Sequence, residues 1–149
     1  MTAAQPLPAP TPEPALREDR LDYTPNARSV TLCRRRAARL VREWGHPRLA
    51  SDTAILVNEL ATNALLHRCL QDRLFRVRLI LTETRLRIEV TDPRGERLPG
   101  LRAPADDESY GRGLLIVDAL AADWGVEQRT VGKTVFAELA LPGSPQPHS

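Results

Sequence analysis

The sequence predicts an α/β protein: a two-layer sandwich in which a mixed, mostly antiparallel sheet carries its helices on one face. Three observations predict it. The hydrophobic period is helical in two consecutive segments, changes to two across the next pair, and the order then repeats as one helix and two strands. The alternating segments set apolar residues against arginines, so one sheet face is apolar and the other polar. A sheet with a single apolar face is covered by a single layer of helices.

The elements follow in order. Residues 1–15 carry Pro6, Pro8, Pro10, Pro12 and Pro14 in alternation, a run that cannot donate a ladder of hydrogen bonds and reads as a disordered, extended tail. A short strand around Leu16 to Asp22 can join the sheet. Val30, Cys33, Ala37, Leu40, Val41 and Trp44 mark an amphipathic helix, which Gly45 caps and Pro47 prevents from continuing. A second helix runs from about Ser51 to Arg68. Phe75, Val77, Leu79 and Leu81 then alternate with Arg76, Arg78, Ile80 and Thr82. Leu86, Ile88 and Val90 alternate with Arg85, Arg87 and Glu89. These are two strands joined by a tight turn at Glu83-Thr84. Asp92 to Tyr110, with Pro93, Pro99 and Pro104, is a long irregular segment of the kind that is functional or mobile. A helix begins near Gly113 and runs through Leu120. Two last strands, about Trp124 to Thr130 and Lys133 to Leu141, meet at Val131-Gly132. Residues 142–149 form a second disordered tail, which leaves 16–141 as one domain.

Composition narrows the function. The formal charge of +2 is too small to argue for direct nucleic-acid binding, and with 21 basic residues the only lysine is Lys133. No apolar run reaches membrane-spanning length, and the N-terminus lacks a basic region followed by an apolar one. Cys33 and Cys69 lack a metal-site spacing and read as two reduced thiols. The expectation is a cytoplasmic protein.

The stretch that carries chemistry is Asn58-Glu-Leu-Ala-Thr-Asn-Ala-Leu-Leu-His67. Glu59, Asn63 and His67 stack along one face of the second helix, among the apolar side chains of Leu56, Val57, Leu60, Ala61, Ala64 and Leu65. A polar stripe between apolar faces is costly unless something polar meets it. Asn63 offers a hard oxygen suited to Mg²⁺, and Glu59 is a candidate general base. Asp92, ending an apolar strand, can accept from an exocyclic amine such as adenine N6. Gly111-Arg112-Gly113 precedes a helix whose free N–H groups suit a phosphate. Thr134, on the last strand, carries a hydroxyl within reach of the same base. Each has an ordinary alternative: a turn for Asp92, a loop entering a helix for Gly-x-Gly, a solvated face for Glu59 and Asn63, a helix end for His67. Gly132-Lys133-Thr134 reads as a hairpin turn. Arg76, Arg78, Arg85 and Arg87 read as a solvated sheet face, with partner binding as the other possibility.

The order and spacing of these segments resemble the histidine-kinase-like GHKL ATPase superfamily, and within it the small anti-sigma-factor serine kinases of bacteria. Asn58 to His67 looks like the family's N box, and Val90-Thr-Asp92 followed by Gly95 like its first glycine box. Gly111-Arg-Gly-Leu-Leu-Ile-Val117 resembles the second, and Gly132-Lys-Thr-Val-Phe-Ala-Glu-Leu139 the closing hairpin. The resemblance covers about Leu16 to Leu141. It implies a Bergerat-type fold and an ATP site. Asn63 would bind Mg²⁺, Asp92 would read the adenine amine, and Gly111 and Gly113 would contact phosphates. Gly95, Arg112, Leu114 and Thr134 complete the implied ATP contacts, with Glu59 as catalytic base. It also implies a sigma factor and an anti-sigma antagonist as partners, transfer of phosphate to a serine of that antagonist, and a homodimer. A second reading keeps the fold without the chemistry: a module that sequesters a partner and holds nucleotide weakly or not at all. Arg94 and Glu96, which stand where the first glycine box has glycines, favour it.

Overall fold

The computed structural model describes residues 13–66, 74–92, 114–128 and 132–143. Strand β1 (Arg17–Tyr23) leads to helix α1 (Ala27–Glu43), a 3-10 turn (Pro47–Leu49) and helix α2 (Ala50–Leu66). Strands β2 (Phe75–Leu81) and β3 (Arg85–Asp92) follow. Helix α3 covers 114–120, and strands β4 (Asp123–Gln128) and β5 (Lys133–Ala140) close the fold. The expected elements are all present. The proline-rich and C-terminal tails lie outside the described residues except at 13–15 and 142–143, as do His67 and Cys69.

The five strands form one sheet in the order β1-β2-β3-β5-β4. All four ladders are antiparallel. The sequence left room for a parallel pair. None forms among the described strands, because β5 returns between β3 and β4, which run the same way. Thr82 closes the β2–β3 turn, its N–H donating to the Arg85 carbonyl.

Helix α1 starts where the Asn26 side chain accepts from the Ser29 N–H at 2.9 Å. It stops at Gly45, whose φ of +97° lets the chain turn back. The His46 N–H then reaches the Val41 carbonyl and the Gly45 N–H the Arg42 carbonyl. Val30, Cys33, Ala37 and Val41 form its buried face. Pro47 breaks the chain into the 3-10 turn that feeds α2, a feature that the sequence reading lacked. Helix α2 packs against α1 and over β3. Its Leu56, Val57, Leu60 and Ala61 are fully buried against the inner sheet face of Phe75, Leu79, Leu86 and Ile88. Val117 of α3 joins this core. No helix among the described residues is long and apolar enough to cross a membrane.

Among the described residues no helix covers the outer sheet face, and four of its arginines are paired with carboxylates. Arg76 meets Asp22 at 2.8 Å, Arg78 meets Glu18 at 2.7 Å, and Arg85 meets Glu138 at 2.9 Å. Arg87 meets Glu89 at 2.7 Å and both Glu138 and Glu127 at 3.0 Å. It also lies 4.0 Å over the ring of Phe136. Burial pulls this guanidinium down, but hydrogen bonds to Glu89, Glu138 and Glu127 together hold it above its ordinary pKa. Gly125 on β4 makes room for that ring: a Cβ there would stand 3.0 Å from Phe136 Cε1.

Candidate functional site

The sheet register decides which of the sequence-selected residues meet. On β3, Leu86, Ile88, Val90 and Asp92 share the inner face, and Asp92 is the last residue of the strand. Its partner in the ladder is Lys133, the first residue of β5. Above them lies the last turn of α2. There Leu60, Asn63 and Ala64 join Val90, Asp92, Lys133 and Val135 in walling one cleft. Its interior measures about 10 Å³, room for about one water, so a nucleotide base would have to widen it. Four aliphatic walls suit the faces of a planar ring, and the carboxylate of Asp92 offers the edge acceptor.

Asn63 is 5% exposed. Among the described residues, no hydrogen bond takes up its side-chain amide. Glu59 sits one turn earlier on α2, half-buried, and is not among the residues walling the cleft. Its Oε2 accepts from Asn58 Nδ2 at 3.4 Å, and Asn58 Oδ1 accepts from Arg34 Nη1 at 2.9 Å. Among the described residues no cluster of three or more His, Cys, Asp or Glu side chains is placed to hold a metal ion. One amide oxygen suffices where phosphate oxygens and water complete the shell, as is usual for Mg²⁺. The residues present therefore fit a Mg²⁺–nucleotide at Asn63 better than a metal held by protein alone.

Two of the expected ATP contacts are not among the walls of this cleft. Thr134 pairs with Thr91 in the β3–β5 ladder, on the sheet face away from the cleft. The two hydroxyl oxygens are 2.7 Å apart. The register that brings Asp92 inward turns Thr134 outward, because neighbouring residues on a strand face opposite ways. Thr134 therefore does not face this cleft. Leu114 packs against the hydrophobic core and is not one of the cleft's walls. Gly95, Gly111, Arg112 and Gly113 lie outside the described residues. Lys133, read from the sequence as part of a turn, is instead a wall of the cleft. The signal was available: Lys133 has the parity of Val135, Ala137 and Leu139, all buried.

The family profile described as "Histidine kinase-like ATPase domain" matches residues 23–138. The chain belongs to this family. Membership implies ATP binding and a regulatory ATPase or kinase-like function, and the five-stranded sheet with its helices on one side is consistent with a GHKL-type ATPase fold. The chain is also similar to an uncharacterized protein of Streptomyces coelicolor, 48% identical over 63 residues. That match covers 41% of this chain and 59% of the relative, so the chain spans less than two thirds of that relative's length.

Proposed function

We propose that this domain binds ATP with Mg²⁺ in the cleft between α2 and the β3–β5 strands, and that it transfers the γ-phosphate to a serine of a partner protein. In this reading it is an anti-sigma regulatory factor. A sigma factor is the partner it sequesters, the phosphorylated serine belongs to that factor's antagonist, and the working unit is a homodimer. The observation that carries the reading is Asn63: a nearly buried amide without a hydrogen-bond partner among the described residues, in one cleft with the Asp92 carboxylate. The amide is not sealed from water, as Thr53 Oγ1 is, so a ligand in the cleft would take the place of solvent at Asn63.

Glu59 takes the serine hydroxyl proton. The serine oxygen forms the new bond to phosphorus, the bond to the ADP oxygen breaks, and that oxygen keeps the electron pair. The metal supplies charge neutralisation along this transfer. The chain's own part is positioning: Asn63 orients, Asp92 accepts from the base, and Leu60, Ala64, Val90 and Val135 exclude water.

Glu59→Ala tests the chemistry. It should keep ATP binding and lose about 10²- to 10⁴-fold in labelled-phosphate transfer to the antagonist. Transfer at the wild-type rate would remove Glu59 as the base. The narrowness of the cleft favours a second reading, a binding module without catalysis. A wild type that binds the partner but gives no measurable ATP binding would support that one.

A further inference from the structure

Arg34 lies on α1, outside the cleft and outside every motif that marks the family. Its Nη1 donates to Asn58 Oδ1 at 2.9 Å, and Asn58 Nδ2 donates to Glu59 Oε2 at 3.4 Å. The two ends of this chain fix its direction. A guanidinium only donates and an ionised carboxylate only accepts. An asparagine between them satisfies both only with its oxygen toward Arg34 and its nitrogen toward Glu59. The other flip sets donor against donor and acceptor against acceptor.

We propose that Arg34 and Asn58 are positioning residues for Glu59. The guanidinium locks the Asn58 amide, and the amide holds Oε2 of the carboxylate, leaving Oε1 for the incoming hydroxyl. The proposal rests on the reading of Glu59 as base. Its geometry does not follow from helix spacing alone. Asn58 and Glu59 are neighbours in the chain, and neighbouring helical side chains point about 100° apart. The contact needs an outside group to orient the amide, and α1 supplies it. Both bonds involve a charged partner, but the bond to Arg34 is the shorter, so Arg34 sets the arrangement and Asn58 transmits it. Asp92 and Lys133, which wall the cleft, take no part in this chain of bonds, so its loss leaves the base-reading groups in place.

The test uses the full chain and has two arms. In the ligand-free protein, the Asn58 side-chain amide signals are followed by ¹H–¹⁵N NMR. Arg34→Ala and Glu59→Ala should each shift them, and Arg34→Lys should shift them less, because an ammonium still donates. Asn58 signals that do not move in Arg34→Ala overturn the proposal. The second arm is single-turnover hydrolysis of MgATP, in which water replaces the serine hydroxyl. Arg34→Ala and Asn58→Leu should each slow it by about 10- to 100-fold, as misplacement of a reacting group does, with the ATP Kd and the melting temperature unchanged. Arg34→Lys should recover most of the rate, and the combined Arg34→Ala, Asn58→Leu variant should be no slower than either alone. A normal rate in Arg34→Ala beside a slow Glu59→Ala overturns the positioning role and leaves the base standing. A normal rate in Glu59→Ala overturns the base, and the positioning role with it. Additive losses in the combined variant also overturn the proposal, since two residues acting through one carboxylate cannot add.

Discussion

On the outer face of the sheet Arg87 meets three carboxylates and an aromatic ring. On the inner face Asn63, which is more deeply buried than Arg87, has no hydrogen-bond partner among the described residues. The two regions share one sheet and differ in how far their polar groups are satisfied. The outer arginines have their charges answered within the chain, so they stabilise the open face and have little left to offer a ligand. The cleft holds few polar groups among aliphatic walls, and one of them is unanswered. The saturated groups form a structural network, whereas the open amide of Asn63 faces the cleft.

Breaking the outer network should give the largest change in stability. Arg87→Ala removes the cation shared by Glu89, Glu138 and Glu127, leaving Glu89, which is 6% exposed, with Arg78 and Glu138 with Arg85. The loss should be about 2–3 kcal/mol, read by urea unfolding, with the ATP Kd of the folded protein unchanged. A change below about 0.5 kcal/mol would mean that this network is solvated and contributes nothing.

Asp92→Asn tests the cleft side by discrimination. A carboxylate accepts from adenine N6 and repels guanine O6, whereas an amide can turn to donate. The ATP over GTP preference should fall about tenfold in a competition titration, with stability altered by less than about 1 kcal/mol. An unchanged preference takes Asp92 out of base recognition.

The smallest effect concerns the core that joins the two regions. Burial pushes both the Cys33 thiol and the Tyr23 phenol up to about 12. In the unfolded chain these groups ionise at lower pH than in the folded one. Their contribution is thus fully present below the ordinary thiol value and is lost as pH rises from there toward about 12. Unfolding stability should drop by about 1 kcal/mol between about pH 8 and pH 10, and Cys33→Ala should flatten most of that slope. Equal slopes in both proteins would contradict the burial of the thiol.

Much of this was legible in the sequence. Helix and strand periods are local signals, so Val30 to Val41 and Phe75 to Val90 declared their elements and their buried faces. Asn63 was selected as part of a polar stripe on an apolar helix and Asp92 as the end of an apolar strand, and the fold brings them into one cleft. Register is not local. Thr134 and Lys133 are neighbours on β5, and only the pairing of Asp92 with Lys133 shows that the lysine faces the cleft and the threonine faces away. The outer arginines were legible as a polar face. Their saturation was not, because the partners Glu18, Glu127 and Glu138 come from three other strands. The link from Arg34 to Asn58 crosses 24 positions between two helices, a distance at which sequence spacing says nothing.

The central claim is that Asn63 is left unpaired for the sake of a metal-bound nucleotide. Isothermal titration of ATP into the wild type and into Asn63→Ala, each with and without Mg²⁺, tests it most directly. The account predicts that Mg²⁺ strengthens ATP binding to the wild type and that Asn63→Ala removes most of this gain, weakening MgATP by at least about tenfold, while the melting temperature holds or rises. Equal MgATP affinity in the two proteins, or the same Mg²⁺ dependence in both, would contradict it.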